Sequence, residues 1–126
     1  MHKSRLGGLI IDCQTDDLES AADFWGRALG YKTKVSSAPQ DHGYILLQTE
    51  ADEPHIEVQQ VTHPSRIHLD IETDDIEAEA DRLEELGARR VNKVRDWWVM
   101  EAPTGQRFCV IRQQRDCFEE RANQWN

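Results

Sequence analysis

Two stretches of the chain share one pattern of apolar and polar positions. Residues 9–19 have the sequence LIIDCQTDDLE and residues 67–77 have the sequence IHLDIETDDIE, at a constant offset of 58 positions. Each stretch has the alternation and the β-branched content of a half-buried strand, followed by a Thr-Asp-Asp turn. The pattern predicts an internal repeat, with one copy in each half of the chain.

A helix is expected directly after each turn. Asp16 with Glu19, and Asp74 with Glu77, have the spacing of a capping box, in which both side chains bind free amides of the first helical turn. Glycines at positions 30 and 87 then serve as C-caps. Apolar residues at helical spacing form one stripe on each helix: Leu18, Ala21, Ala22, Trp25 and Leu29 in the first, and Ile76, Ala80, Leu83 and Leu86 in the second.

Three strands are predicted after each helix, separated by Asp, Gly, Pro and Thr residues. They cover residues 31–35, 43–48 and 55–61 in the first half, and 88–94, 97–102 and 107–112 in the second. Each half is therefore a βαβββ module, and the fold class is α+β. We expect one domain over residues 1–112, with module one at about 6–62 and module two at about 63–112, and a polar C-terminal tail over residues 113–126 that forms a loose terminal helix.

Composition narrows the choice of partners. With 24 acidic and 15 basic residues the net charge is −9, which would repel a nucleic-acid backbone. No apolar stretch approaches the roughly 20 residues of a membrane helix, and the first residues lack a signal-peptide core. Three cysteines without a CxxC spacing argue against a disulfide framework. We therefore expect a cytoplasmic protein that binds neither nucleic acid nor membrane.

Module two resembles the glyoxalase-like branch of the vicinal-oxygen-chelate superfamily, to which the bleomycin-resistance-like proteins also belong. The resemblance covers about residues 6–112, and it rests on the duplicated βαβββ order together with three motifs: RIHLD at 66–70, LGA at 86–88 and PTG at 103–105. It implies two facing cupped sheets with helices outside and a small-molecule pocket inside. It also implies a homodimer, with modules paired either within a chain or across two chains.

In metal-dependent members of this superfamily, the first and last strands of both modules supply four ligands to one divalent ion. The resemblance puts His68 at one ligand position and Glu57, in the segment Ile-Glu-Val, at another, although Gln59 lies on the same strand face as Glu57. Ile10 takes the position equivalent to His68 and cannot bind a metal. Cys109 stands where the family usually has Glu, so the site of the family is incomplete here.

Two interpretations of these residues remain open. Glu57, His68 and Cys109 could hold zinc with an open position for water, or His68 could be a hydrogen-bonded pocket histidine and Cys109 a small buried apolar residue. Asp70 shares a strand face with His68, and Asp12 is its repeat equivalent. These two carboxylates either approach each other near the pocket floor, where one would have a raised pKa, or bind loop amides at the strand ends.

The adjacent tryptophans at 97 and 98 face opposite ways in a strand, so one indole should line the cup while the other packs on the helix layer or at a subunit contact. We expect the pocket residues His68, Asp70, Glu57, Gln59, Trp98 and Cys109. The favoured function is binding or sequestering a compact small molecule, or metal-free chemistry on it, with no cofactor. The alternatives are a lyase, isomerase or transferase that uses Zn, Ni, Fe or Mn, and a non-catalytic scaffold.

Overall fold

The computed structural model describes residues 1–35 and 42–126. In those ranges the chain forms β1 (His2–Gln14), α1 (Leu18–Leu29), β2 (Thr33–Val35), β3 (Tyr44–Leu47), β4 (His55–Val61), β5 (Arg66–Thr73), α2 (Ile76–Glu85), β6 (Arg89–Val94), β7 (Trp97–Glu101), β8 (Arg107–Arg112), α3 (Phe118–Arg121) and β9 (Asn123–Trp125). The predicted βαβββ order is present in both halves, and the fold is α+β. None of the helices in the described residues is long and apolar enough to cross a membrane.

The chain divides into two compact units, which we name unit one and unit two. Unit one is Leu9–Ile67, and unit two combines Met1–Gly8 with His68–Asn126. Strand β1 therefore contributes its end to unit one and its beginning to unit two. In unit one the strand order is β2-β3-β4-β1, and in unit two it is β1-β5-β8-β7-β6, with β9 added on β1.

Each unit has its own apolar core beneath its helix. In unit one, Ala22 of α1 packs with Ile45, Leu47 and Val58 of the sheet. In unit two, the core combines Ala80 and Leu83 of α2 with Met100 and Val110 of the sheet. The predicted helical stripes are present, except that Leu29 and Leu86 are exposed at the helix ends.

The helix caps differ from the sequence prediction by one residue. Asp17 and Asp75, rather than Asp16 and Asp74, accept hydrogen bonds from the amides three residues later, at 3.2 and 3.0 Å. Asp74 has another role, because its carboxylate accepts from the Lys3 amide of β1 at 2.8 Å. At the other end of α1, Gly30 has φ of 80° and ends the helix in the left-handed conformation, as predicted.

Residues after β8 are attached to unit two more firmly than a loose terminal helix would be. Phe118 is 1% exposed, and β9 pairs with the start of β1, where Trp125 lies opposite His2. The Trp125 indole donates to Ser4 Oγ at 2.8 Å. Polar composition concealed this attachment, because a few anchoring side chains among many exposed ones leave no periodic pattern.

Candidate functional site

Three of the predicted pocket residues come together on the sheet of unit two. His68, Asp70 and Cys109 each present one donor atom, and the three atoms lie within 4.8 Å of one another. Strand pairing produces this cluster: β5 and β8 are parallel, and Asp70 lies directly opposite Cys109 in the register. His68 lies two residues before Asp70 and therefore projects from the same face of β5.

The contact between His68 and Asp70 has an unusual length. His68 Nε2 lies 3.4 Å from Asp70 Oδ1, beyond the range typical of a good N–H···O hydrogen bond. The same Asp70 oxygen is buried and has no hydrogen-bond partner among the described residues. Because a buried carboxylate oxygen without a hydrogen bond is costly, this atom needs a further positive partner or donor.

The donor set fits a divalent metal ion. Imidazole nitrogen, carboxylate oxygen and thiol sulfur are the three kinds of ligand that zinc accepts, and catalytic zinc sites keep three protein ligands with one open position. All three side chains are partly buried. A metal at this cluster would be held by His68, Asp70 and Cys109, and it would satisfy the buried Asp70 oxygen.

Trp98 does not lie on this face, which corrects the sequence prediction. It pairs with Val110 of β8 and packs against the core beneath α2, and its indole donates to Glu77 Oε2 at 2.7 Å. Val99 is the residue opposite Cys109, so Trp97, two positions earlier, lies on the cluster's side of the sheet. Alternation predicted one indole on each face, but the choice between them required the register with β8.

Glu57 and Gln59 belong to unit one and share a face of β4, as predicted. Glu57 lies opposite Leu46 of β3, while the Gln59 side-chain amide donates to the Tyr44 hydroxyl at 2.8 Å. That these two residues join His68 in one pocket stays a prediction. The proposed approach of Asp12 to Asp70 also stays a prediction.

A second acidic residue, Glu72, continues the row of His68 and Asp70 along β5. Glu72 is 1% exposed and accepts from Arg5 Nε at 2.6 Å, from Arg115 Nε at 3.0 Å and from the Gln114 amide at 3.0 Å. Burial would raise the pKa of the Glu72 carboxyl, but these donors outweigh it and hold the pKa below its ordinary value. Sequence analysis missed this cluster, because Arg5 and Arg115 are far from Glu72 along the chain.

Fold and site together define a protein built from two βαβββ modules, with a polar cluster on the sheet of module two. The family model of the glyoxalase-like domain matches residues 8–111, and the chain belongs to this family. The resemblance seen in the sequence is therefore confirmed.

Solved structures share this fold at low sequence identity. Methylmalonyl-CoA epimerase from Mycobacterium tuberculosis matches with a TM-score of 0.60 and 16% identity over 86% of this chain and 87% of its own. A variant of the Streptomyces coelicolor methylmalonyl-CoA epimerase, in complex with 2-nitronate-propionyl-CoA, matches with a TM-score of 0.59 and 13% identity, over 87% of this chain and 98% of its own. A hypothetical protein from Bacillus halodurans matches with a TM-score of 0.59 and 17% identity, over 89% and 96% of the two chains. A search of the curated proteins finds no match.

Proposed function

We propose that the protein binds a compact small molecule at the β5–β8 face of unit two and acts on it with a divalent metal ion. The observation that carries this proposal is the convergence of His68, Asp70 and Cys109 within 4.8 Å, on a face where all three remain partly accessible. When bound, such an ion would polarise a carbonyl oxygen of the ligand or activate a water molecule.

The surroundings of the cluster favour a ligand with both polar and apolar parts. Trp97 and Val99 lie on the same side of the sheet as Cys109, and both are partly exposed. An aromatic wall beside a few converging polar groups is typical of small-molecule sites. We therefore infer a ligand that has an oxygen donor at one end and a small apolar body that contacts Trp97.

Binding without a metal is the second candidate, and one observation favours it. Ile10, the repeat equivalent of His68, is 3% exposed and belongs to the buried apolar residues of unit one. The four-ligand set that the family resemblance implies therefore lacks one ligand in this chain. Under this alternative, His68 and Asp70 would bind the ligand directly.

Metal analysis and one oxygen-donor probe distinguish the two candidates. Protein purified at neutral pH is analysed for Zn, Ni, Fe and Mn, and acetohydroxamate, a compact bidentate oxygen donor, is tested for its effect on the unfolding temperature. We expect stoichiometric metal in the wild type, loss of that metal in His68→Ala, and stabilisation by the probe only when metal is present. His42→Ala, which removes an exposed histidine of unit one, should retain both properties.

Two results would contradict the proposal. One is the absence of bound metal from wild-type protein, even after incubation with each of the four ions. The other is stabilisation of the metal-free wild type by the probe, with loss of that stabilisation in metal-free His68→Ala. In that second case, binding does not depend on metal, and the metal-free candidate would be preferred.

A further inference from the structure

We infer that the metal site is a thiolate site built entirely within module two, selective for zinc and similar thiophilic ions over Mn and Mg. This inference rests on the proposed function, because it specifies the ligands and the ion of the same cluster. It differs from the ligand set that the family resemblance implies, in which both modules contribute and Glu57 is a ligand.

Ligand geometry gives the first argument. Two ligand atoms at 2.0–2.1 Å from a tetrahedral ion are about 3.4 Å apart, and His68 Nε2 and Asp70 Oδ1 are separated by 3.4 Å. This distance is long for a hydrogen bond but matches one edge of a zinc tetrahedron. The structure thus already holds the first two donor atoms at a spacing suitable for coordination.

The sulfur of Cys109 is the third ligand atom of the proposed site. An edge between sulfur and nitrogen or oxygen in such a tetrahedron is about 3.6 Å, and the Cys109 sulfur lies within 4.8 Å of a ring nitrogen of His68 and of a carboxylate oxygen of Asp70. Closing the difference takes a movement of at most about 1.2 Å, which a change in the Cys109 χ1 angle can provide. Backbone pairing of Asp70 with Cys109 keeps the two side chains adjacent during this change.

Chemistry of the sulfur decides which ion is preferred. Thiolate is a soft ligand that favours zinc and related ions, whereas Mn and Mg prefer carboxylate, carbonyl and water oxygens. Three protein ligands also leave one position of a zinc tetrahedron for water or for the oxygen donor of a ligand. The site therefore needs no ligand from unit one to be complete.

Cobalt substitution tests the role of Cys109 without depending on activity. Co²⁺ is added to wild-type protein and to Cys109→Ser, and the sulfur-to-cobalt charge-transfer absorption is recorded in the near ultraviolet. We expect this band in the wild type and its loss in Cys109→Ser. Cys13→Ser, which changes a cysteine packed against the core of unit one, should retain the band.

Ion preference and the role of Glu57 are tested by competition. Wild-type protein in equal concentrations of Zn²⁺ and Mn²⁺ should take up zinc, whereas Cys109→Asp, with an added oxygen ligand, should take up a larger fraction of Mn²⁺. Glu57→Gln should bind zinc with wild-type stoichiometry and retain the cobalt band. Circular dichroism and thermal unfolding of the metal-free variants exclude misfolding as the cause of any loss.

Each contrary result has a separate meaning. Metal that depends on His68, without the charge-transfer band or without preference for zinc, would overturn the thiolate assignment and leave the proposed function intact. Loss of zinc in Glu57→Gln would overturn the restriction to module two. Failure of every ion to bind would overturn both this inference and the metal-dependent function.

Discussion

Corresponding strands of the two modules carry different side chains at equivalent positions. In unit one, Ile10 is buried and Asp12 is 2% exposed, with Arg66 Nε 3.6 Å from the Asp12 carboxylate. In unit two, His68 and Asp70 occupy the same repeat positions and lie beside Cys109. The repeat has therefore kept the carboxylate in both modules, but an arginine accompanies it in one and an imidazole and a thiol accompany it in the other.

The next residue on the same face of each strand, two positions further along, shows a second difference. Gln14 of β1 is exposed, and its side chain donates to the Thr62 carbonyl at 2.9 Å. Its equivalent, Glu72 of β5, is buried between Arg5 and Arg115. The repeat thus gives β1 and β5 the same backbone structure, but their side chains differ. Those of β1 are mainly structural, whereas those of β5 form a candidate site next to a buried ion-pair cluster.

Replacing Glu72 should have the largest effect on stability. Glu72→Gln removes the only carboxylate bound to both Arg5 and Arg115 among the described residues, and the side chains of these arginines are only 10% and 5% exposed. Buried charges left without their partner typically cost about 3–5 kcal/mol. We expect a loss of about 3 kcal/mol in the free energy of unfolding, measured by urea denaturation.

Gln14→Ala is the matched control at the equivalent position. Its side chain is exposed, so the expected change is within about 0.5 kcal/mol. Equal losses in the two variants would show that the comparison between the strands is wrong. A small effect of Glu72→Gln alone would mean that water or the neighbouring side chains solvate the two arginines adequately.

Replacing Arg66 should have a smaller effect. Arg66→Met removes the cation next to the buried Asp12 carboxylate, but Arg66 itself is 48% exposed and is only loosely paired at 3.6 Å. Asp12 has further interactions, so the carboxylate keeps part of its stabilisation. We expect a loss of about 1–2 kcal/mol, measured by the same denaturation experiment, and no change in metal content. A change in metal content would show that Asp12 belongs to the metal site.

Sequence patterns predicted the architecture well, because periodicity and turn residues report local structure. Strand β4 has the predicted bounds at His55–Val61, and β8 has them at Arg107–Arg112. Period-two alternation also put His68 and Asp70 on one face. The family resemblance identified Cys109, but its pairing with Asp70 depends on the register between two strands that are distant in sequence.

Long-range contacts account for what the sequence did not reveal. The choice of Trp97 over Trp98 depended on the register of β7 against β8. Burial of Arg115 depended on the return of the C-terminal residues to unit two, where its guanidinium donates to Glu72 and to the Leu6 carbonyl. No local pattern encodes such contacts, since each joins residues separated by many elements.

The smallest expected effect is a change in the pH dependence of stability between the wild type and Glu72→Gln. This measurement tests the charge state of Glu72 directly. The pKa of Glu72 is lowered in the folded protein, because the Gln114 amide and the two arginines outweigh the effect of burial. In the unfolded chain the pKa of Glu72 should be about 4.3. The unfolded state therefore binds the proton more readily than the folded state. The stability that Glu72 contributes is fully present at pH values above its unfolded pKa, and it is lost as the pH falls through its folded pKa.

Glu72→Gln should accordingly lose stability less steeply between about pH 5 and pH 3. Some dependence of stability on pH should remain, because the pKa of Glu79 in unit two is also lowered in the folded protein. Burial alone would raise the pKa of this carboxyl, but hydrogen bonds from Arg82, His2 and Ser4 outweigh that effect. Urea denaturation at several pH values in this window gives the slopes, with Gln14→Ala expected to follow the wild type. Parallel curves for Glu72→Gln and wild type would mean that Glu72 has the same proton affinity in the folded and unfolded states, contrary to its ion pairs with Arg5 and Arg115.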